Sequence, residues 1–370
     1  MTYHRAPMRT TAPTPPPSQP PPGPEAQSLP QFIHTVAELD ELLTRPDRSV
    51  IDAVRAVSSP LVVLGAGGKM GPTLCVLAKR AAEAAGHRLE VVAVSRFGEP
   101  GARRWLQERG VCAVPCDLLE AQAVAQLPEA GNVIYLVGLK FGTAQNPAAT
   151  WAINTLVPAR VAEHYAPARI VALSTGNVYP LADAQRGGSG ENDPLTPLGE
   201  YANAAVGRER IFEFCSRRRG TRVALLRLFY ATELRYGIVT DIARKLHQDQ
   251  TVELANGYFN CIWQGDANAM ILRALPLAAN PPSVWNLCRP ECFSLRSTAT
   301  LLGEFLGRSP RFAGQESATA LLGNPARLCA ALGPPGTPMN VMLRWTAHWV
   351  KSGGRSLDKP THFEVRDGQY

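Results

Sequence analysis

The chain has 370 residues, 45% of them hydrophobic, with 38 Lys+Arg against 31 Asp+Glu and eight Cys. That is enough apolar material for one large domain or two closely associated ones, which excludes a wholly disordered chain. The net charge of +7 suits an anionic small molecule as well as a nucleic acid, and its one dense cluster, Arg217-Arg218-Arg219, is short enough for a solvated turn.

Ten of the 32 Pro fall between Pro7 and Pro30. Such a stretch favours polyproline II and has little to bury, so residues 1–30 are read as a disordered or extended tail. A PxxP ligand for a partner is the alternative to an inert extension. No basic start runs into an apolar segment, and the apolar stretches fall far short of the ~20 residues of a membrane span. The expectation is a cytoplasmic protein that binds neither membrane nor nucleic acid. The cysteines and the seven histidines lack zinc-site spacing, so no metal is expected. No G-x-S-x-G elbow or P-loop appears, which argues against hydrolase and kinase readings.

In chain order, residues 31–57 read as a helical lead-in, with Thr35 and Glu38 as a capping box. LVVLG (61–65) reads as a buried parallel strand, followed by a helix over about 72–85. LEVVAVS (89–95), VCAVPCD (111–117), NVIYLVG (132–138), ARIVALST (168–175) and TRVALLRLF (221–229) continue the strands. Helices at 100–109, near 120–127, at 149–165 and at 200–218 lie between them. The alternation predicts an α/β fold, a Rossmann-type doubly wound parallel sheet over 58–230. The pattern then becomes irregular, with helices at 238–247, 266–278, 295–307 and 338–351 and strand-like segments at 251–254 and 284–288. This reads as a smaller C-terminal α+β substrate lobe over 231–351, with 352–370 as a flexible tail.

Between the first strand and its helix stand Gly65, Gly67, Gly68, Lys69, Met70 and Gly71. Glycines at 65, 68 and 71 allow a tight turn and a close backbone approach to a pyrophosphate, which the helix N-terminus then favours. Ser95-Arg96 follow the second strand, where a basic residue accommodates a 2′-phosphate. The cofactor is therefore NADP or NAD, with NADP favoured.

Further motifs follow in order: Cys116-Asp117-Leu118, Asn154, Ser174-Thr175-Gly176-Asn177-Val178-Tyr179, Pro194-Leu195-Thr196-Pro197 before Tyr201, Gln264-Gly265-Asp266-Ala267, and Asn286-Leu287. Over roughly residues 60–350 the chain thereby resembles the extended short-chain dehydrogenase/reductase superfamily, of the NAD-dependent epimerase/dehydratase type. The resemblance implies that Asp117 and Leu118 meet the adenine, that Tyr201 donates or accepts the proton, and that Thr175 polarises the substrate oxygen. It implies a small hydroxylated substrate, sugar-like or anionic, and hydride exchange with nicotinamide. Asn177, Arg227, Arg235 and Trp263 are candidate substrate contacts. Oligomeric state is open, with a homodimer as the candidate.

One position departs. The family's Y-x-x-x-K reads Tyr201-Ala202-Asn203-Ala204-Ala205, so the lysine that lowers the tyrosine pKa is an alanine. Another cation then substitutes, with Lys140 after the fourth strand as first candidate and Arg208 as the weaker one. Each has a plain alternative as a solvated residue. Otherwise the protein is a dinucleotide-binding sensor or interaction protein without turnover, or a lyase or epimerase using lobe residues such as Tyr230, Glu233 or Tyr236.

Overall fold

A computed structural model describes residues 29–370 except 99, 141, 144, 360 and 370, so nearly all of the proline-rich segment lies outside the described residues. Two short helices come first, α1 (Val36–Leu43) and α2 (Arg48–Arg55). The Thr35 hydroxyl accepts the Glu38 amide at 3.1 Å, as the spacing predicts. The Glu38 carboxylate reaches past the cap residue to accept the His34 amide at 2.7 Å.

From Leu61 the chain alternates through β1 (Leu61–Leu64), α3 (Gly71–Ala84), β2 (Val91–Ser95), α4 (Pro100–Gln107), β3 (Cys112–Pro115), α5 (Ala121–Ala125) and β4 (Asn132–Tyr135). It continues through α6 (Pro147–His164), β5 (Arg169–Thr175), the two-residue β6 (Ala182–Asp183), α7 (Gly199–Arg219) and β7 (Arg222–Leu228). Side chains alternate across a strand, and here both faces are covered. Leu61, Val63, Val91 and Ala93 pack with Leu74, Leu77 and Ala81 of α3. Val62, Leu64, Val92 and Val94 pack on the other side with Val157 and Val161 of α6 and Phe212 of α7. That is why these strands read as continuous apolar runs.

The seven parallel strands lie in the order β3-β2-β1-β4-β5-β7-β12. β12 (Ser283–Leu287) corrects the sequence reading, which placed it in the lobe. It pairs in parallel with β7, Trp285 opposite Leu226, and closes the sheet edge. The order reverses between β1 and β4, and in an open α/β sheet the ligand crevice lies at the carboxyl ends beside that switch.

The lobe is built from short pairs: β8 (Tyr230–Thr232) with β11 (Cys261–Trp263), β9 (Val252–Glu253) with β14 (Phe312–Ala313), β10 (Tyr258–Phe259) with β13 (Phe293–Ser294), and β6 with β15 (Thr319–Ala320). Helices α8 (Ile238–His247), α10 (Leu295–Leu306) and α12 (Met339–Lys351) complete it, while α9 (Gln264–Arg273) and α11 (Ala326–Leu332) pack in the core of the parallel sheet. The lobe core gathers Ile242, Leu246, Leu302, Trp345 and Trp349, together with Leu39 and Leu43 of α1.

The expectation of a flexible C-terminal tail is corrected. Phe363 is 2% exposed inside the lobe core. The Thr361 amide and hydroxyl donate to the Asp241 carboxylate at 2.9 and 2.6 Å. Arg366 donates to the carbonyls of Ala255 and Thr319 at 3.2 and 2.8 Å. A single buried ring and a few backbone-seeking donors anchor the segment, and neither alters its composition enough to be seen. Gly368 then packs backbone to backbone against Leu198 and Gly199, two residues before Tyr201. Both glycines are left-handed (φ +77° and +76°), and a Cβ on either would overlap the opposing backbone.

Candidate active site

The glycine-rich turn is closed by its own backbone. The Gly65 and Ala66 amides donate to the Val94 carbonyl at 2.9 and 3.1 Å, and the Gly68 amide to Gly65 at 3.1 Å. Gly65 is left-handed at φ +81°. A Cβ on Gly71 would stand 2.5 Å from the Ala66 carbonyl oxygen, and one on Gly67 2.5 Å from Ser95 Oγ. Only glycine allows that approach, which leaves Gly67 and Gly68 exposed just before the α3 N-terminus. Bare backbone beside the positive end of a helix fits a dinucleotide pyrophosphate. From the other side, Gln264 and Asn268 of α9 donate to Thr73 Oγ1 at 3.2 and 3.0 Å and tie α9 to the first turn of α3. The Met70 side chain packs against the core, so its backbone is what remains for a ligand. The same holds for Leu118, 6% exposed. Asp117 turns one carboxylate oxygen onto the Leu119 amide at 3.0 Å. Arg96 is exposed at the end of β2, where an adenosine ribose would lie; Glu99 lies outside the described residues.

Tyr201 stands in the first turn of α7 and is 8% exposed. Thr175 ends β5, and its hydroxyl is turned into the following tight turn. It donates to Asn177 Oδ1 at 2.9 Å and accepts the Asn177 amide at 3.2 Å. Ala205 is fully buried. It packs with Val178, Tyr179, Phe229 and Cys288. The Phe229 ring sits so close to Gly176 and Gly323 that a Cβ on either would overlap it. Position 205 is therefore enclosed by apolar side chains.

Two lysines stand on other segments. Lys69, on the glycine-rich turn, places Nζ 3.3 Å from the centroid of the Tyr236 ring. Burial, reinforced by nearby Lys140 and Lys359, pushes the Lys69 ammonium down to about 7. Burial pushes Lys140 down to about 8. Tyr236 is pushed well up by burial, with Asp241 and Tyr201 adding to the shift. The structure thus brings Lys69 onto the Tyr236 ring, with Lys140 within electrostatic range of Lys69 and Tyr201 within range of Tyr236. Lys359 arrives from the C-terminal segment, and its part was invisible while that segment read as a flexible tail.

Three candidate substrate contacts are corrected. Arg227 is 4% exposed and forms a bidentate pair with Glu209 at 3.0 and 2.7 Å. Its guanidinium also donates to Tyr179 Oη at 2.5 Å, and Ser174 Oγ completes the network on Glu209 at 2.5 Å. Arg235 is held by Asp40 at 3.0 Å and Glu233 at 3.1 Å. Trp263 is 3% exposed and packs on Trp345 in the lobe core, ring centroids 5.4 Å apart. Asp266 of the Gln264–Ala267 motif accepts the Thr337 amide and hydroxyl at 2.8 and 3.0 Å and so anchors the approach to α12. Among the described residues no group of three or more His, Cys, Asp or Glu is placed to hold a metal, and no helix is long and apolar enough to cross a membrane.

A sequence model of the NAD-dependent epimerase/dehydratase family matches residues 61–284. No curated protein matches in sequence. Solved structures do match in fold. A dTDP-glucose 4,6-dehydratase from Streptomyces venezuelae with NAD bound is 18% identical with a TM-score of 0.66, over 79% of this chain and 97% of that one. The UDP-glucose 4-epimerase of Thermus thermophilus in complex with NAD is 18% identical at 0.64, over 80% and 99%. The RMD protein of Pseudomonas aeruginosa, complexed with NADPH, is 21% identical at 0.62, over 80% and 100%.

Proposed function

The chain belongs to the NAD-dependent epimerase/dehydratase family, and on that premise we propose an enzyme that uses NADP or NAD to exchange hydride with a hydroxyl-bearing carbon of a sugar-like or anionic small molecule. The nicotinamide, when bound, supplies the hydride acceptor and donor. The chain's own residues handle the proton and the charge. Tyr201 takes the substrate hydroxyl proton and returns it. Thr175 exchanges its Asn177 bond for the substrate oxygen. Lys140, with Lys69 beside it, supplies the positive potential absent at position 205. Arg96 faces a ribose 2′-phosphate and favours NADP.

The observation that carries this reading is Lys69 of the glycine-rich turn on the Tyr236 ring, with Lys140 within electrostatic range of Lys69 and Tyr201 within range of Tyr236. An amine titrating near 7 or 8 suits acid–base work at neutral pH, because catalytic groups function best near the working pH. The test is absorbance at 340 nm with NADP or NAD and a panel of sugar nucleotides, the ligand class of several structural relatives, beside free sugars and hydroxy acids. Turnover that vanishes in both Tyr201→Phe and Lys140→Ala supports the reading. Full activity in Lys140→Ala overturns the part given to that lysine.

A second reading has one observation in its favour. Ala205 is packed in apolar surroundings, as expected of a dinucleotide-binding protein without turnover. Tight cofactor binding with no turnover across the panel would select it.

A further inference from the structure

The segment Val137-Gly138-Leu139-Lys140 has no regular secondary structure, yet two buried side chains fix its backbone. Asn154 of α6 donates through Nδ2 to the Leu139 carbonyl at 3.3 Å and to its own helix at Thr150 at 2.9 Å. Arg208 of α7 donates through Nη1 to the Val137 carbonyl at 2.8 Å.

Arg208 is 4% exposed. A buried guanidinium ordinarily rests on a carboxylate, as Arg227 does on Glu209. Arg208 has no ion pair among the described residues, and its Nε finds no partner there. Asn154 Oδ1 and Tyr135 Oη are likewise buried without partners. Holding an unpaired cation inside a protein is costly, and packing alone would be served better by leucine or methionine.

Gly138 is what admits it. A Cβ at that residue would stand 2.8 Å from Arg208 Nη1 and 3.5 Å from Asn154 Oδ1. Gly138 is not among the left-handed glycines, so it is there for space. The helix that has alanine at 205 therefore carries a cation about one turn further on, directed at the end of β4.

We infer that Arg208 is a positioning residue: by gripping the Val137 carbonyl beneath Gly138, it sets the course of residues 138–140 and so presents Lys140 to the crevice. The inference rests on the reading of Lys140 given above, but it can be tested without turnover. Lys140 adds to the downward push on Lys69 of the glycine-rich turn, and Arg208 approaches the Lys140 segment from α7.

The experiment is reductive methylation of Lys140 across about pH 6 to 11, followed by peptide mass spectrometry, which reads the unprotonated fraction of the amine and its access to water. In the full-length protein the labelling midpoint is expected near 8. Gly138→Ala pushes the guanidinium off Val137 while every charge remains, and Arg208→Met removes it. Both should move the Lys140 midpoint up by about one pH unit or more, as the amine regains water. Arg208→Lys should restore part of the shift. Arg210→Ala, which loses only an exposed pair with Glu213, should leave the midpoint in place. A purely structural role would lower thermal stability and leave the midpoint alone. An unchanged midpoint in folded Gly138→Ala and Arg208→Met overturns the inference. Where turnover is observed, the kcat pH profile should move with the labelling. Where it is absent the catalytic reading falls, and the labelling still decides the role of Arg208.

Discussion

The glycine-rich turn and the first turns of α7 face one crevice and have been built in opposite ways. At Gly65–Gly71 the family pattern is kept, and the packing explains why, since each approach to Ala66, Ser95 or Val137 leaves no room for a side chain. At Tyr201–Ala205 a tyrosine is followed four residues on by alanine, where the resemblance implies a lysine. Ala205 is enclosed by Phe229, Val178 and Cys288. On the function proposed above, the site holds its binding half by backbone geometry and draws its positive charge from other elements, because backbone contacts tolerate almost no substitution and a point charge can come from elsewhere. Lys69 shows the join: its backbone belongs to the glycine-rich turn and its ammonium lies on the Tyr236 ring.

Three substitutions can break or sharpen that contrast. The largest effect should be that of Tyr201→Phe, a fall in turnover of about 10²–10⁴-fold with dinucleotide affinity kept, read by steady-state rates beside a fluorescence titration. Equal losses in both would place Tyr201 in the binding half. Next comes Ala205→Lys. In a site merely lacking its lysine, the change would restore chemistry. Here it must bury an ammonium among apolar side chains, and should lower stability by about 3 kcal/mol in urea unfolding, with no gain in rate. A stable, more active variant would show the apolar seal to be unimportant. Gly71→Ala should weaken dinucleotide binding by about 100-fold, because the methyl meets fixed backbone where no flexible tip can yield. Affinity within a few-fold of the wild type would mean that the turn relaxes freely.

The two halves also differed in how far the sequence revealed them. The strands were legible because both faces of the sheet are covered, which turns each into an apolar run, and the glycine spacing was legible because it is local. The loss at 205 was visible, but the residues that fill it come from positions 178, 179, 229 and 288, which no local pattern joins. Arg227 read as a candidate substrate contact because its partner Glu209 stands 18 residues away, and Arg235 because Asp40 stands 195 residues away, although its other partner, Glu233, lies two residues off. Trp263 read as a candidate substrate contact for the same reason, with Trp345 out of local reach. The C-terminal segment read as a tail because one buried Phe363 does not change its composition.

The smallest expected effect joins the halves and concerns protons. Lys69 and Lys140 titrate near 7 and 8 in the folded chain and near 10.5 once unfolded, burial being the main cause in each. Between those values the unfolded chain binds more protons than the folded one, so stability should rise with pH from about 7 to 10.5. Below 7 both states are protonated, and the penalty of burying the two charges is fully present. A dinucleotide or other anion settling beside Lys69 opposes that penalty and raises the lysine pKa values. At pH 8.5 binding should therefore take up protons, and affinity should fall as the pH climbs further. Lys359 adds to the downward push on Lys69 and Asp241 opposes it, so Lys359→Ala should reduce the uptake. Calorimetry in two buffers of different ionisation enthalpy measures the proton count directly. No uptake in the wild type would place the anion away from both lysines and separate the glycine-rich turn from the charge that the altered half depends on.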